Sequence, residues 1–203
     1  MDQSALVSPA QAAAVLGRAF QSDPLFEYLL PKPQARNTVL PAFFGILAGY
    51  SRAHGVLDVA PEGQGVACWL RPGHTTPMTR HLLWLGLSRW PLWRALVQLG
   101  VKGIRQLSAL TAYADAQHRQ AAPSAHWYLW ALGVEPDHQR QGVGRRLLQV
   151  GLARADAERR PCYLETNNVL NLLFYQKYGF KMVGRGQPDG HELTFWALRR
   201  EPQ

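Results

Sequence analysis

The segment from His126 to Gly144 constrains this chain more than any other. The run WYLWALGV (127–134) is apolar, strand-length and uninterrupted, and the polar, glycine-bearing loop EPDHQRQGVG follows it. Next comes a stretch whose Leu147, Leu148, Gly151, Leu152 and Ala155 recur on one helical face. Beyond it, CYLETN reads as a second strand and NVLNLLFYQKYG as a helix ended by Gly179. FKMVGRG and HELTFWALRR read as two closing strands. Strand, helix, strand, helix, strand, strand predicts an α/β (α+β) fold, a mixed sheet with helices against it.

The loop itself carries chemistry. Gln139-Arg140-Gln141-Gly142-Val143-Gly144 leaves a strand and opens a helix. Glycines there let backbone approach a ligand closely, and the free N–H groups of the first helical turn point outward with the positive end of the helix dipole. That arrangement suits phosphate or pyrophosphate, and Arg140, Arg145 and Arg146 add charge beside it. The spacing fits neither a P-loop nor a G-x-G-x-x-G dinucleotide fingerprint. A tight connection that merely needed two glycines is the plainer alternative. Gly133, inside an otherwise bulky strand, predicts a bulge or a close backbone approach. Pro136 cannot donate to a ladder, so the strand end is expected to splay and leave amides open to an extended ligand.

On an ideal helix, Asn171 lies about 60° and Tyr175 about 20° from Asn168. Val169, Leu170, Leu172, Leu173 and Phe174 surround this polar stripe. A buried polar stripe needs partners, either protein groups or a ligand lying along it. Glu165 alternates with Tyr163 and Asn167 on one side of the preceding strand and would face the same crevice.

The N-terminal half is helical, then stranded. Ser8-Pro9 caps an alanine-rich helix, Asp23-Pro24 caps LFEYLL up to Pro31, and a third helix runs from about Thr38 to Ala53. Val56–Ala60 and Gly65–Leu70 form a hairpin. Residues 75–118 read as a helical insertion that Pro91 should split or kink, with Trp84, Trp90 and Trp93 among basic side chains. An interfacial membrane helix is the other reading of it, and packing of an amphipathic face on the domain is the plainer one. Gln117–Ser124 is polar and marks a loop. At 203 residues the chain reads as one domain carrying that insertion.

Here composition narrows the function. Twenty-two Lys and Arg against 14 Asp and Glu leave a formal charge of +8, which suits an anionic partner. The Arg cluster surrounds the glycine loop and no RNP-like or zinc-finger pattern occurs, so nucleic acid is not the expected partner. Seven scattered histidines and two cysteines without CxxC spacing predict no metal and no disulfide framework. No basic-then-apolar leader opens the sequence and no window qualifies as a membrane span, so the expected compartment is the cytoplasm.

Strand–QRQGVG–helix followed by ETNNVLNLLFYQKYGF resembles the GCN5-related N-acetyltransferase (GNAT) superfamily. Asn168 to Gly179-Phe180 is similar to its N-x6-Y-x3-G-F pattern. Glu165-Thr166 with Asn171 and Phe174-Tyr175 resembles the puromycin-acetyltransferase-like branch, as do AF-x2-DP (Ala19, Phe20, Asp23, Pro24) and ACWLRPG (67–73), more loosely. The resemblance implies a mostly antiparallel central sheet with a splayed strand, and acetyl-CoA as cosubstrate. It places pyrophosphate on the amides of 139–145 and the pantetheine arm along Leu132, Gly133 and Val134, with Asn168 and Asn171 nearby.

Direct transfer to an amine requires a neutral nucleophile, and a lysine-like amine costs about 4.6 kcal/mol to deprotonate at pH 7. Glu165 is the candidate base, with His126 as a second, and a free amide near Val134 could hold the developing oxyanion. Tyr175, as the resemblance implies, protonates the leaving thiolate. The expected acceptor is a small amine, its pocket walled by some of Phe26, Phe43, Phe44 and Tyr50, in a monomer or homodimer. The alternatives are a protein or peptide N-acetyltransferase, and an acyl-CoA-binding regulatory module without turnover.

Overall fold

The computed structural model describes residues 8–74 and 90–203, the stretch 90–96 by its backbone alone. The reading of 75–89 as the start of a helical insertion lies outside the described residues. Three helices open the chain: α1 (Pro9–Ala19), α2 (Pro24–Leu29) and α3 (Pro33–His54). Ser8 and Gln11 close a reciprocal capping box on α1, and Asp23 caps α2 by accepting from the Leu25 N–H at 3.0 Å. The hairpin β1 (Gly55–Val59) and β2 (Gly65–Leu70) turns through a short 3-10 segment at Pro61–Gly63.

Helix α4 spans Trp90–Ala121. Pro91, expected to split or kink the stretch, lies at the edge of the described residues; among them the helix breaks at Gly100, whose φ of 61° and ψ of 178° only glycine adopts readily. Gln117 to Ala121, expected as loop, is the last turn of α4, because its polar residues edge a helix whose Leu110 is buried. The C-terminal half follows the expected order: β3 (Trp127–Val134), α5 (Val143–Ala157), β4 (Cys162–Thr166), α6 (Leu170–Gln176), β5 (Lys181–Gly186) and β6 (Phe195–Arg200).

The six strands form one sheet in the order β1-β2-β3-β4-β6-β5. All neighbours are antiparallel except β3 and β4. That parallel pair joins only through Trp127–Cys162 and Tyr128–Tyr163, and beyond Tyr128 the strands part. The splay arises earlier than Pro136. Trp69 pairs with Leu129 and Cys68 with Ala131, so Trp130 is an extra residue that bends β3 away from β4. Gly133 is instead a site of close approach: a Cβ there would stand 2.8 Å from Leu16 Cδ2 and 2.9 Å from Ala19 Cβ, so α1 crosses the strand because 133 is bare.

Helix α5 packs on one face of the sheet, burying Leu147, Leu148, Leu152 and Ala155 against Trp69, Trp127 and Leu164. Helices α1 and α3 pack on the other, setting Leu16, Phe44 and Leu47 against Val66 of β2. Ion pairs tie the edges, Asp58 to Arg154 at 2.8 Å and Asp156 to Arg200 at 2.7 Å. Cys68 and Cys162 are buried free thiols.

Candidate active site

The fork between β3 and β4 is the centre of the site. Successive residues of β3 point their amides to opposite sides. Because Glu135 N–H donates to Gln64 O at 2.9 Å on the β2 side, Val134 and Leu132 present theirs to the open fork. Gln139 Nε2 reaches across to donate to the Val134 carbonyl at 3.2 Å, fixing the loop against the strand end. The loop then makes two left-handed turns, Arg140 at φ 60° and Gly142 at φ 78°. Such a conformation costs a non-glycine residue roughly 1–2 kcal/mol, so Arg140 holds local strain that shapes the turn. Gly142 caps α5, and the amides of Val143, Gly144 and Arg145 form its first turn.

A groove of about 1010 Å³ runs from this loop along the fork. Leu132, Gly133, Val134, Gln139, Arg140, Gly142, Val143, Gly144, Arg145, Asn168, Asn171 and Tyr175 all line it. Gln141 does not; its side-chain amide turns away to donate to the Asp137 carbonyl at 2.9 Å. The donor set fits a pyrophosphate: first-turn amides, no side chain on 142 or 144, and the guanidinium groups of Arg140 and Arg145, with Arg18 paired to Glu135 nearby.

The polar stripe is built differently from an ideal helix. Asn168 precedes α6, and its Oδ1 accepts from Leu170 N–H at 3.0 Å while its own N–H donates to Thr166 Oγ1 at 3.2 Å. Asparagine offers the backbone a turn of this kind and so delays the helix. Asn171 and Tyr175 do share one face of α6, and Asn171 Nδ2 donates to Thr166 Oγ1 at 3.2 Å. Of the flanking apolar residues, Leu170 and Leu173 face outward, 78% and 71% exposed, while Leu172 and Phe174 pack against the core.

A second, smaller cavity of about 170 Å³ adjoins the groove. Phe26, Phe43, Phe44 and Trp130 are among its walls, and Tyr50 is not. Phe20, Asp23, Leu132, Asn171 and Tyr175 line both spaces, so they form the passage between them. Glu165 lies in the smaller cavity, accepting from Tyr128 Oη at 2.7 Å and from Tyr163 Oη at 2.9 Å. Burial raises its carboxyl to about 7 against the pull of the two tyrosine hydrogen bonds, with Asp115 adding a smaller upward push. Burial likewise raises Asp23 to about 6, opposed by the amides of Leu25 and Phe26. Burial, and then the charge of Asp23, lifts the Tyr175 phenol above its ordinary value, so it stays protonated at neutral pH. His126 stands outside both spaces, in a pair with His118.

Sequence reasoning missed Tyr128 and His118 altogether and read Asp23 only as a helix cap and part of a motif. Tyr128 could have been found by pairing the two strands in parallel, which sets it opposite Tyr163. Asp23 gave no comparable signal, since the fold of α1 and α2 alone brings it to the passage.

Residues 103–182 match the acetyltransferase (GNAT) domain family. Over that stretch the chain is similar to the GNAT superfamily of N-acetyltransferases. Within it, a Schizosaccharomyces pombe protein named as an uncharacterized N-acetyltransferase is 27% identical over 177 residues, spanning 84% of this chain and 69% of that one. The N-alpha-acetyltransferase RimI of Mycobacterium tuberculosis is 34% identical over 86 residues, 40% of this chain and 52% of its own length. The GNAT fold extends over nearly the whole chain. A Corynebacterium glutamicum structure, titled as histone acetyltransferase HPA2 and related acetyltransferase, superposes with a TM-score of 0.64 at 24% identity, covering 96% of this chain and 91% of that one. Among the described residues no helix is long and apolar enough to cross a membrane, and no group of three or more His, Cys, Asp or Glu could hold a metal ion.

Proposed function

We propose that this GNAT enzyme transfers the acetyl group of acetyl-CoA to the primary amine of a small, largely apolar acceptor. The observation that carries the reading is the junction of two spaces of different character. An open groove with a basic, amide-rich end meets a small aromatic cavity holding a carboxylate, and Tyr175 stands at the meeting point. Leu132 to Val134 and the 139–145 loop would hold the cosubstrate, with Asn168 and Asn171 beside it. We read the chain as one acetyltransferase domain, and its Glu165-Thr166 and Asn171/Phe174-Tyr175 pattern supports the puromycin-acetyltransferase-like branch.

In this mechanism the cavity admits the amine and Glu165 takes its proton. A carboxyl near 7 is half ionised at neutral pH, close to the optimum for a general base. The fork-facing amide of Val134 would donate to the carbonyl oxygen as it gains charge. Tyr175 Oη then delivers its proton to the departing sulfur. The cavity's size and aromatic walls favour a small acceptor over a peptide, whose backbone would need an open channel.

The test is release of free CoA thiol from acetyl-CoA with phenethylamine and other small arylalkyl and alkyl amines, an aminonucleoside, polyamines and N-terminal peptides. Turnover confined to small apolar amines is the expected result. Turnover of peptides alone would transfer the chain to the protein-acetylating class. Tight acetyl-CoA binding with no acceptor would favour the regulatory module.

A further inference from the structure

Behind Glu165, on the side away from the acetyl-CoA groove, two imidazoles lie in line. His118 Nδ1 stands 4.0 Å from Glu165 Oε1. His118 Nε2 is 2.7 Å from His126 Nε2, and His126 Nδ1 is 2.6 Å from the Ser124 carbonyl oxygen. Hydrogen-bond logic fixes the protons along this row. A carbonyl only accepts, so His126 carries its proton on Nδ1. His126 Nε2 is then the acceptor, so His118 carries its proton on Nε2 and turns a bare Nδ1 toward Glu165. The His118 ring also stacks on Tyr163, at 4.3 Å between centroids and 27° between planes, which holds its edge to the carboxylate. Both histidines line a separate cleft of about 550 Å³ with Gly73, Asp115, Arg119 and Ser124.

We propose that His118 and His126 relay the acceptor's proton from Glu165 to this second cleft, so that proton and thiol products leave by different faces. The proposal rests on Glu165 as the base. Protonated Glu165 gives its proton to His118 Nδ1, His118 passes its Nε2 proton to His126 Nε2, and the His126 Nδ1 proton leaves the Ser124 carbonyl for water in the cleft. One proton enters and one leaves, and no other bond changes. A modest rotation of Glu165 or one bridging water closes the 4.0 Å step. Exchange of ring protons with cleft water resets the tautomers.

The surroundings keep both rings from trapping the proton. Burial lowers His118 to about 3, helped by charge on His126 and then by Arg119; burial also lowers His126, opposed by the Ser124 carbonyl and helped by Arg199. The remaining ionisable groups around the pair are Tyr128, Tyr163, Glu165 and Asp115. A buried pair serving structure alone would need no cleft at its far end and no bare nitrogen facing a carboxylate.

Two measurements test the relay. The first needs no acceptor: histidine-selective ¹⁵N spectra should show protonated Nδ1 on His126 and bare Nδ1 on His118, and the opposite tautomers would overturn the proposal. The second uses acetyl-CoA with phenethylamine, or the best amine of the panel. His126→Gln keeps a side chain able to hydrogen bond to His118, and His126→Ala opens space at the cleft. Both should lose about tenfold in kcat with unchanged KM for acetyl-CoA, a smaller loss than removing the base itself. Added imidazole should restore His126→Ala in proportion to its concentration. Full activity in His126→Gln, or a loss in folded protein that imidazole does not restore, removes the relay. An active Glu165→Gln enzyme would instead remove the base beneath it, which separates the two failures.

Discussion

The Tyr128 hydroxyl and the Glu165 carboxylate meet at 2.7 Å at the point where β3 and β4 part. The last paired residue on β3 thus holds the first carboxylate of the open fork, and strand geometry and the proposed base chemistry share one contact. Activity should therefore rise with pH through about 7, as Glu165 gives up its proton and becomes competent to take another. Tyr128→Phe removes a donor that favours the carboxylate. A hydrogen bond to a charged group is worth about 1.5–3 kcal/mol, or about one to two pH units. The rising limb of kcat/KM should move upward by that amount; a limb left in place would detach the titration from Glu165.

Tyr175 packs its ring against Phe174 and Phe180, while its hydroxyl stands at the passage between groove and cavity. Tyr175→Phe keeps the ring. Turnover should fall by about 10²–10⁴-fold with acetyl-CoA affinity nearly unchanged. A variant with normal kcat and a lowered Tm would instead mark a packing residue, provided chemistry limits the rate.

Gly142 adopts φ 78° at the start of α5, and a Cβ there meets little but Arg146 Nη1 at 3.6 Å. Gly142→Leu should fold with a cost of about 1–2 kcal/mol from its left-handed backbone. The added side chain would project from the loop whose amides are assigned to pyrophosphate. Acetyl-CoA affinity, followed by calorimetry, should drop by more than tenfold. Wild-type affinity in the folded variant would sink that assignment.

Gly151 tests the scaffold rather than the chemistry. A Cβ at 151 would lie 2.2 Å from Trp69 Cε2, on a helix held close to the sheet. Gly151→Ala should destabilise by about 1–3 kcal/mol, the usual cost of overpacking a core. Denaturant unfolding reads this directly, and an unchanged midpoint would mean that α5 shifts without cost.

Much of the local structure of the candidate site was legible in the chain. The Ser8 and Asp23 caps, the glycine loop and the i, i+4 pair Asn171 and Tyr175 depend on neighbours within one turn. Their physics is therefore written locally. Asn168 was misread because its side chain closes a turn with Leu170 N–H, a competition that an ideal helix wheel ignores. The break at Gly100 is likewise local, since a glycine at φ 61° and ψ 178° interrupts the helix.

What the sequence by itself determined is the set of elements and their order, together with the family they resemble. Apolar periodicity and turn chemistry act over a few residues and survive without tertiary contacts. What only the tertiary structure decided is the company each residue keeps. Trp130 bulges and so opens the fork; α1 and α2 carry Asp23 to the Tyr175 passage; α4 brings His118 against Glu165 and His126. These partners lie far apart in the chain, and their ionisation is set by burial and by charges that arrive only with packing. That is why Glu165 could be named as a base from its strand position, while its hydrogen-bond partners and its rise to about 7 could not.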